Sequence, residues 1–144
     1  MGLGQKAVTV SLQALLFEEF IARESKAGRF TLAFKAADKP ILVHGHCHQK
    51  AFDAIDPVLD VLRLIPGAKP ELIESSCCGM AGSFGYEASH FEVSMKMAEL
   101  SLLPAVRQAP DAIVVADGTS CRHQIADGTG RQAVHVARLL ESLL

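Results

Sequence analysis

A three-layer α/β domain with a mostly parallel sheet is the fold class that this sequence predicts, on three observations. Short apolar, strand-like runs alternate with stretches of helical period along the chain. Turn residues punctuate the alternation, as at Asp38-Lys39-Pro40, Pro66-Gly67 and Asp117-Gly118. Each of the runs near 41–44, 71–74 and 112–116 is trailed by cysteine, so parallel strands would gather all four thiols beyond carboxyl ends of the sheet.

Taken in order, residues 1–10 carry no pattern. Ser11 reads as the N-cap of a helix with Leu12, Leu15, Leu16, Phe20 and Ile21 on one face. Glu18, Glu19, Arg23, Glu24 and Lys26 fall on its polar face, and Gly28 stops it. Phe30 to Ala37 reads as a short strand, and Ile41 to His44 as the first strong one. Asp56-Pro57 opens a helix with Val58, Leu59, Leu62 and Ile65 buried, ended by Pro66-Gly67.

Glu71 to Glu74 forms the next strand and leads into a glycine-rich loop. Ser89 to Glu92 matches a capping box for a helix carrying Phe91, Met95, Ala98 and Leu102, kinked or restarted at Pro104. Ala112 to Ala116 is a strand, followed by a helix near Cys121 and a loop at Asp127 to Gly130. Ala133 to Val136 is a short last strand or runs straight into a final helix that buries Val136, Leu139, Leu140 and Leu143.

The 144 residues fit one domain, 1–144. A hydrophobic content of 49% points to a piece of a larger protein with a covered face, or to self-association. No apolar run nears the ~18 residues of a membrane span. The opening residues lack a secretory signal, so the expected setting is cytoplasmic, with peripheral contact to the inner face of the membrane also compatible. A net charge of -2 gives no electrostatic case for nucleic acid.

Four cysteines in such a chain are expected to be reduced, which leaves metal binding, redox chemistry or burial. The 29 residues between Cys47 and Cys77, and the 42 between Cys78 and Cys121, each accommodate a crossover helix and a return strand. Converging thiolates suit tetrahedral zinc or an iron–sulfur cluster. Gly79, Gly82 and Gly85 would let backbone amides approach such a cofactor closely.

Cys77 and Cys78 can serve one site only if the backbone turns, as Gly79 permits. Cys121, near a helix N-terminus and Arg122, is expected to favour thiolate. His44, His46 and His48 alternate beside Cys47 and are weaker ligand candidates; His123 reads as a neighbour of the site. The glycine spacing is not that of a phosphate-binding loop, and vicinal cysteines are not the usual redox dithiol.

The stretch Cys77-Cys78-Gly79-Met80-Ala81-Gly82-Ser83-Phe84-Gly85 closely resembles the CCG signature of the cysteine-rich domain family. That family occurs in heterodisulfide reductases, in iron–sulfur subunits of glycolate oxidase and anaerobic glycerol-3-phosphate dehydrogenase, and in lactate-utilisation proteins. The segments His44 to Ala51, Tyr86 to Ser94, Leu103 to Ala105 and Asp117 to Ile125 are similar to the variant fused behind FAD-linked oxidases of the D-lactate dehydrogenase type. The resemblance runs from about Lys39 to the C-terminus.

It implies a C-terminal electron-transfer module, with metal ligands Cys47, Cys77, Cys78 and Cys121 holding an iron–sulfur cluster of the 4Fe-4S type, or alternatively zinc. FAD would belong to an upstream domain, and the implied partners are upstream flavin and ferredoxin-like domains. The fuller family pattern closes with a further cysteine that would fall at Gly118, so the carried-over set has no fifth thiol.

Two function classes follow. One is an electron-transfer domain of a flavin-linked 2-hydroxy-acid (lactate- or glycolate-type) oxidoreductase, not catalytic by itself. The other is a structural zinc or metal-free domain that docks onto partner domains or subunits.

Overall fold

The computed structural model describes residues 4–144. Four parallel strands make its sheet: β1 (Ile41–His44), β2 (Pro70–Leu72), β3 (Ile113–Ala116) and β4 (Ala133–Val134), in the spatial order β2-β1-β3-β4. In the central pair Ile41 lies opposite Ile113 and His44 opposite Ala116. The helices are α1 (Gly4–Ser11), α2 (Phe17–Lys26), α3 (Cys47–Ala51), α4 (Ile55–Leu62), α5 (Phe91–Glu99), α6 (Leu102–Gln108), α7 (Thr119–Thr129) and α8 (Val136–Ser142). A 3-10 turn spans Phe84–Tyr86.

Handedness sorts the helices into layers. The crossover from β1 to β2 runs one way across the sheet, and those from β2 to β3 and β3 to β4 run the other. Right-handed connections therefore send α4 to one face and α5, α6 and α7 to the opposite one. Strand alternation matches both layers. Ile41, Val43 and Val115 pack with Val58, Val61 and Leu62 of α4, Ile21 of α2 and Leu139 of α8. Leu42, Val114 and Ala116 pack with Leu102, Leu103 and Val106 of α6 and Ile125 of α7. The fold class is as the alternation predicts. No helix of the described residues is long and apolar enough to cross a membrane.

Several local expectations are corrected. Ser11 ends α1 instead of capping a helix, and α2 begins only at Phe17, where the Glu19 carboxylate accepts from the Leu16 N–H at 2.7 Å. Leu12, Leu15, Leu16 and Phe20 are exposed, while Glu18, Ile21 and Ala22 form the buried line. Spacings of three and four from residue 18 put those three on one face, and tertiary docking selected it over the more apolar one. The 30–37 segment pairs with no strand of the described residues. Phe30 and Phe34, four apart with ring centroids at 6.0 Å, both pack into the α2/α4/α8 layer on an irregular path.

Further along, Ala54 rather than Asp56 precedes α4, and His90 rather than Ser89 precedes α5, with no side-chain cap from either. The chain breaks between α5 and α6, before Pro104, which then sits in the first turn of α6 where a missing N–H costs little. Helix α7 runs through Asp127-Gly128 and stops at Gly130, which adopts a left-handed φ of 72°. The last expected strand is short, and Val136 already belongs to α8.

Within α7, Gly128 lies close against α6: a Cβ there would overlap the terminal methyl groups of fully buried Leu103. Helix propensity alone makes Gly→Ala favourable by ~1 kcal/mol. Overpacking should reverse the sign, so Gly128→Ala is expected to destabilise by about 1 kcal/mol in urea unfolding. A gain in stability would show that the two helices have slack.

Candidate metal centre

The strand order reverses direction between β1 and β3, so the chains leaving these neighbours part to opposite faces and open a crevice at their carboxyl ends. His44 ends β1, and Gly45 and His46 lead into Cys47, the first residue of α3. Ala116 ends β3, and Asp117-Gly118 leads into α7 with Cys121 in its first turn. Beyond β2, the chain from Ser75 to Met80 closes the crevice, anchored by Lys50 Nζ, which donates to the carbonyls of Ser75 and Ser76.

Within the crevice the sulfurs of Cys78 and Cys121 are 3.2 Å apart, and both residues are buried. His44 shares the Leu42 side of β1 and is 2% exposed. Its Nδ1 lies 2.9 Å from Ser75 Oγ, and a ring nitrogen and the two sulfurs all fall within 4.8 Å of one another. One sulfur–sulfur hydrogen bond divides the charge unequally. The bond from Cys121 holds Cys78 well below the usual thiol range; burial opposes this, and His44 and the Met80 N–H support it. The same bond, with burial and the neighbouring thiols, pushes Cys121 up.

Within the pair the shared hydrogen bond thus favours the negative charge on Cys78 over Cys121. Arg122 is engaged elsewhere, donating to the carbonyls of Ala116 and Asp117 at 2.9 and 2.7 Å and to Thr119 Oγ1 at 3.2 Å.

The other two cysteines stand at the edge. Cys47 is exposed at the start of α3, and half-buried Cys77 accepts from the Gly79 N–H at 3.3 Å. Both lie near enough to act electrostatically on Cys121, but the close cluster comprises His44, Cys78 and Cys121 without them. Gly79 turns the chain just after the vicinal pair, at φ 90°, and a Cβ there would overlap the Ser94 carbonyl of α5. Gly85 meets Met80 and Ser94 in the same way, whereas Gly82 has open space around it. Buried Gln124 completes this support by donating to Ser94 O and Oγ, each at 3.0 Å.

The histidines do not share a face, because the strand ends at His44. His46 caps α3, its Nδ1 3.2 Å from the His48 backbone nitrogen, and His48 is exposed. His46 also lies against Gly118, where a Cβ would meet its ring and the Cys121 sulfur. His123 is exposed, with Nδ1 2.6 Å from the Tyr86 hydroxyl. Alternation alone gives His44 no more weight than its two neighbours. Its place as the last residue of a buried strand is the signal that distinguishes it.

Across β3, Glu18 belongs to the polar face that the sequence predicts, yet it is 4% exposed. Burial pushes its carboxyl up to about 7, and the charge of Asp117 adds to this.

No family model matches the chain, and no solved structure matches it. It is 28% identical over 114 residues to one of the subunits of the anaerobic glycerol-3-phosphate dehydrogenase of Escherichia coli (strain K12), covering 79% of this chain and 28% of that protein. It is 44% identical over 66 residues to D-2-hydroxyglutarate dehydrogenase of the same strain, covering 44% of this chain and 6% of that one. Its identity to the Pantoea ananatis D-2-hydroxyglutarate dehydrogenase is 37% over 78 residues, covering 54% and 8% respectively. The matched stretch is thus 28% or less of these curated relatives, which are larger dehydrogenases or parts of them.

Two outcomes are expected. Gly79→Ala combines a left-handed backbone with a clash against backbone, and should cost about 2–3 kcal/mol or more. It should also raise the accessibility of Cys78 to alkylation; unchanged stability and labelling would show that the loop can re-form. Glu18 gives a pH dependence. In the folded state it keeps its proton up to about 7, while in the unfolded chain it releases it near 4.5. The folded state then binds more protons, so stability from this group is full below that lower value and is lost as pH rises through the upper one. Urea unfolding of chelator-treated protein should lose about 2–3 kcal/mol across this window relative to Glu18→Gln. Parallel pH profiles for the two proteins would contradict this.

Proposed function

We propose that this chain is a cysteine-rich domain of the CCG type, spanning 1–144, that carries a thiolate-bound iron–sulfur centre. Its role is electron transfer within a flavin-linked oxidoreductase acting on a 2-hydroxy acid or a related alcohol. The observation that carries the reading is the buried contact of Cys78 and Cys121 beside His44, at the crevice where open parallel sheets collect ligands. Similarity to parts of two dehydrogenase types supports the redox setting.

The donors suit the group. Two soft sulfurs already touch, one of them favoured as thiolate, and Cys47 and Cys77 stand at the mouth. When bound, an iron–sulfur cluster supplies one-electron redox chemistry. The protein's own part is to hold and screen the ligands. Ser75 orients His44, the Met80 amide supports the Cys78 charge, and Lys50 pins the chain before Cys77. Burial of both inner cysteines keeps water from the sulfurs. Substrate oxidation and FAD belong to other domains. The exposed apolar side chains of the N-terminal segment, Leu12, Leu15, Leu16 and Phe20, with Phe52 beside α3, would face such a neighbour or a second copy.

A specific observation favours a second reading. His44 with Cys78 and Cys121 is a mixed sulfur–nitrogen set that suits structural zinc when one outer cysteine joins it.

Anaerobic reconstitution with iron and sulfide, followed by metal and sulfide quantitation, decides between them. Stoichiometric iron and sulfide with visible absorbance is the expected result; colourless protein with one zinc would overturn it. Changing any of Cys47, Cys77, Cys78 or Cys121 to Ser should lower retention, most for the buried pair, and His123→Ala should have a smaller effect. If His44→Ala loses metal while Cys47→Ser keeps it all, Cys47 is not a ligand.

A further inference from the structure

The opposite face of the same strand ends carries a second set of donors, with no sulfur in it. Glu18 lies in the first turn of α2, Asp117 follows β3 and His135 follows β4. They line a pocket of about 280 Å³, together with Gln49, His46 and His48. One ligand atom from each of the three lies within 4.8 Å of the other two. His135 Nδ1 and Asp117 Oδ1 are 3.6 Å apart.

Glu18 is the anomaly that points to a ligand. It is 4% exposed, and its Oε1 has no hydrogen-bond partner among the described residues. A buried carboxyl oxygen without a partner is expensive. The residue facing it is a second carboxylate, which has His135 as its ion-pair neighbour among the described residues. By contrast Asp117 is fixed from outside, accepting from Gln49 Nε2 at 2.7 Å and from the Val136 N–H at 3.0 Å. Each of its oxygens keeps a lone pair in reserve.

We propose that Glu18, Asp117 and His135 bind a divalent first-row cation, such as Mn²⁺, Fe²⁺ or Zn²⁺, at a site distinct from the thiol centre. Two carboxylates and a neutral imidazole balance a double positive charge, and their mixed oxygen–nitrogen character selects this class of ion. Metal–donor bonds of about 2.0–2.2 Å place neighbouring donors roughly 3–4 Å apart, so the cluster needs only a small contraction. The imidazole Nδ1 now faces the Ala137 N–H at 3.1 Å, and loading exchanges that helix cap for a metal bond. Three protein donors leave coordination positions open toward the pocket, for water or a small oxygen-bearing ligand.

The test uses Mn²⁺ alone, because its preference for oxygen and nitrogen keeps it off the thiols. The full chain, as isolated and after iron–sulfide reconstitution, is titrated while the signal of free Mn²⁺ is followed by electron paramagnetic resonance. The expected result is one Mn²⁺ per chain in both samples. Glu18→Gln and His135→Ala should each weaken binding about tenfold or more, and Cys78→Ser should leave it unchanged. Mn²⁺ should also raise the melting temperature of the parent but not of Glu18→Gln. Should Glu18→Gln fail to fold, half-buried His135→Ala carries the comparison. Absence of binding at millimolar Mn²⁺, equal binding by parent and variants, or loss of binding in Cys78→Ser would overturn the proposal. These outcomes are independent of whether the thiols hold iron or zinc.

Discussion

Contact between two buried sulfurs, 3.2 Å apart and supplied by residues 43 positions apart in the chain, is the constraint on which the working end of this domain depends. It requires β1 and β3 to be direct parallel neighbours, so that α7 starts where the chain from β2 passes. It also requires a backbone turn at Gly79 with no room for a side chain, because α5 presses against it through Ser94. Ser94 is in turn held by Gln124 of α7, the helix that also carries Cys121. The cysteine loop, α5 and α7 therefore form one mutually dependent unit, and glycine at 79 and 85 serves packing.

Around the two central strand ends the chemistry divides by face. Side chains on the α5/α6/α7 side offer sulfur and the His44 imidazole; on the α2/α8 side they offer carboxylates and His135. The wall between them is thin. Gly118 has no room for a Cβ because the His46 ring and the Cys121 sulfur already fill the space. The space that a side chain at position 118 would take is thus occupied by a neighbour's imidazole. Arg122, on the carbonyls of Ala116 and Asp117, stiffens the same turn from its backbone side.

Helix α2 illustrates how docking overrides hydrophobicity. Its most apolar line, which continues Leu16 through Phe20, stays exposed, and the line through Glu18, Ile21 and Ala22 is buried. Ile21 and Ala22 pack into the layer formed with α4. Helical spacing then carries Glu18 over the polar pocket at the strand ends, where its carboxylate faces Asp117.

Much of the architecture was legible from the residues alone. Strands Ile41–His44 and Ala112 to Ala116, the alternation with helices and the placement of cysteines after strands follow from local pattern, because a strand buried in a parallel sheet must be apolar and short. Failures lay where long-range contact decides: the register of α2, the irregular path of Phe30 and Phe34, and the continuation of α7 through Gly128 against Leu103. At the candidate site, the sequence singled out the cysteines by type and spacing. Only the tertiary structure could separate Cys78 and Cys121, in contact, from Cys47 and Cys77 at the edge, because burial depends on which helices close over the loop. It likewise raised His44 above His46 and His48 and brought Glu18, Asp117 and His135 together, since these donors come from three elements that share no local pattern.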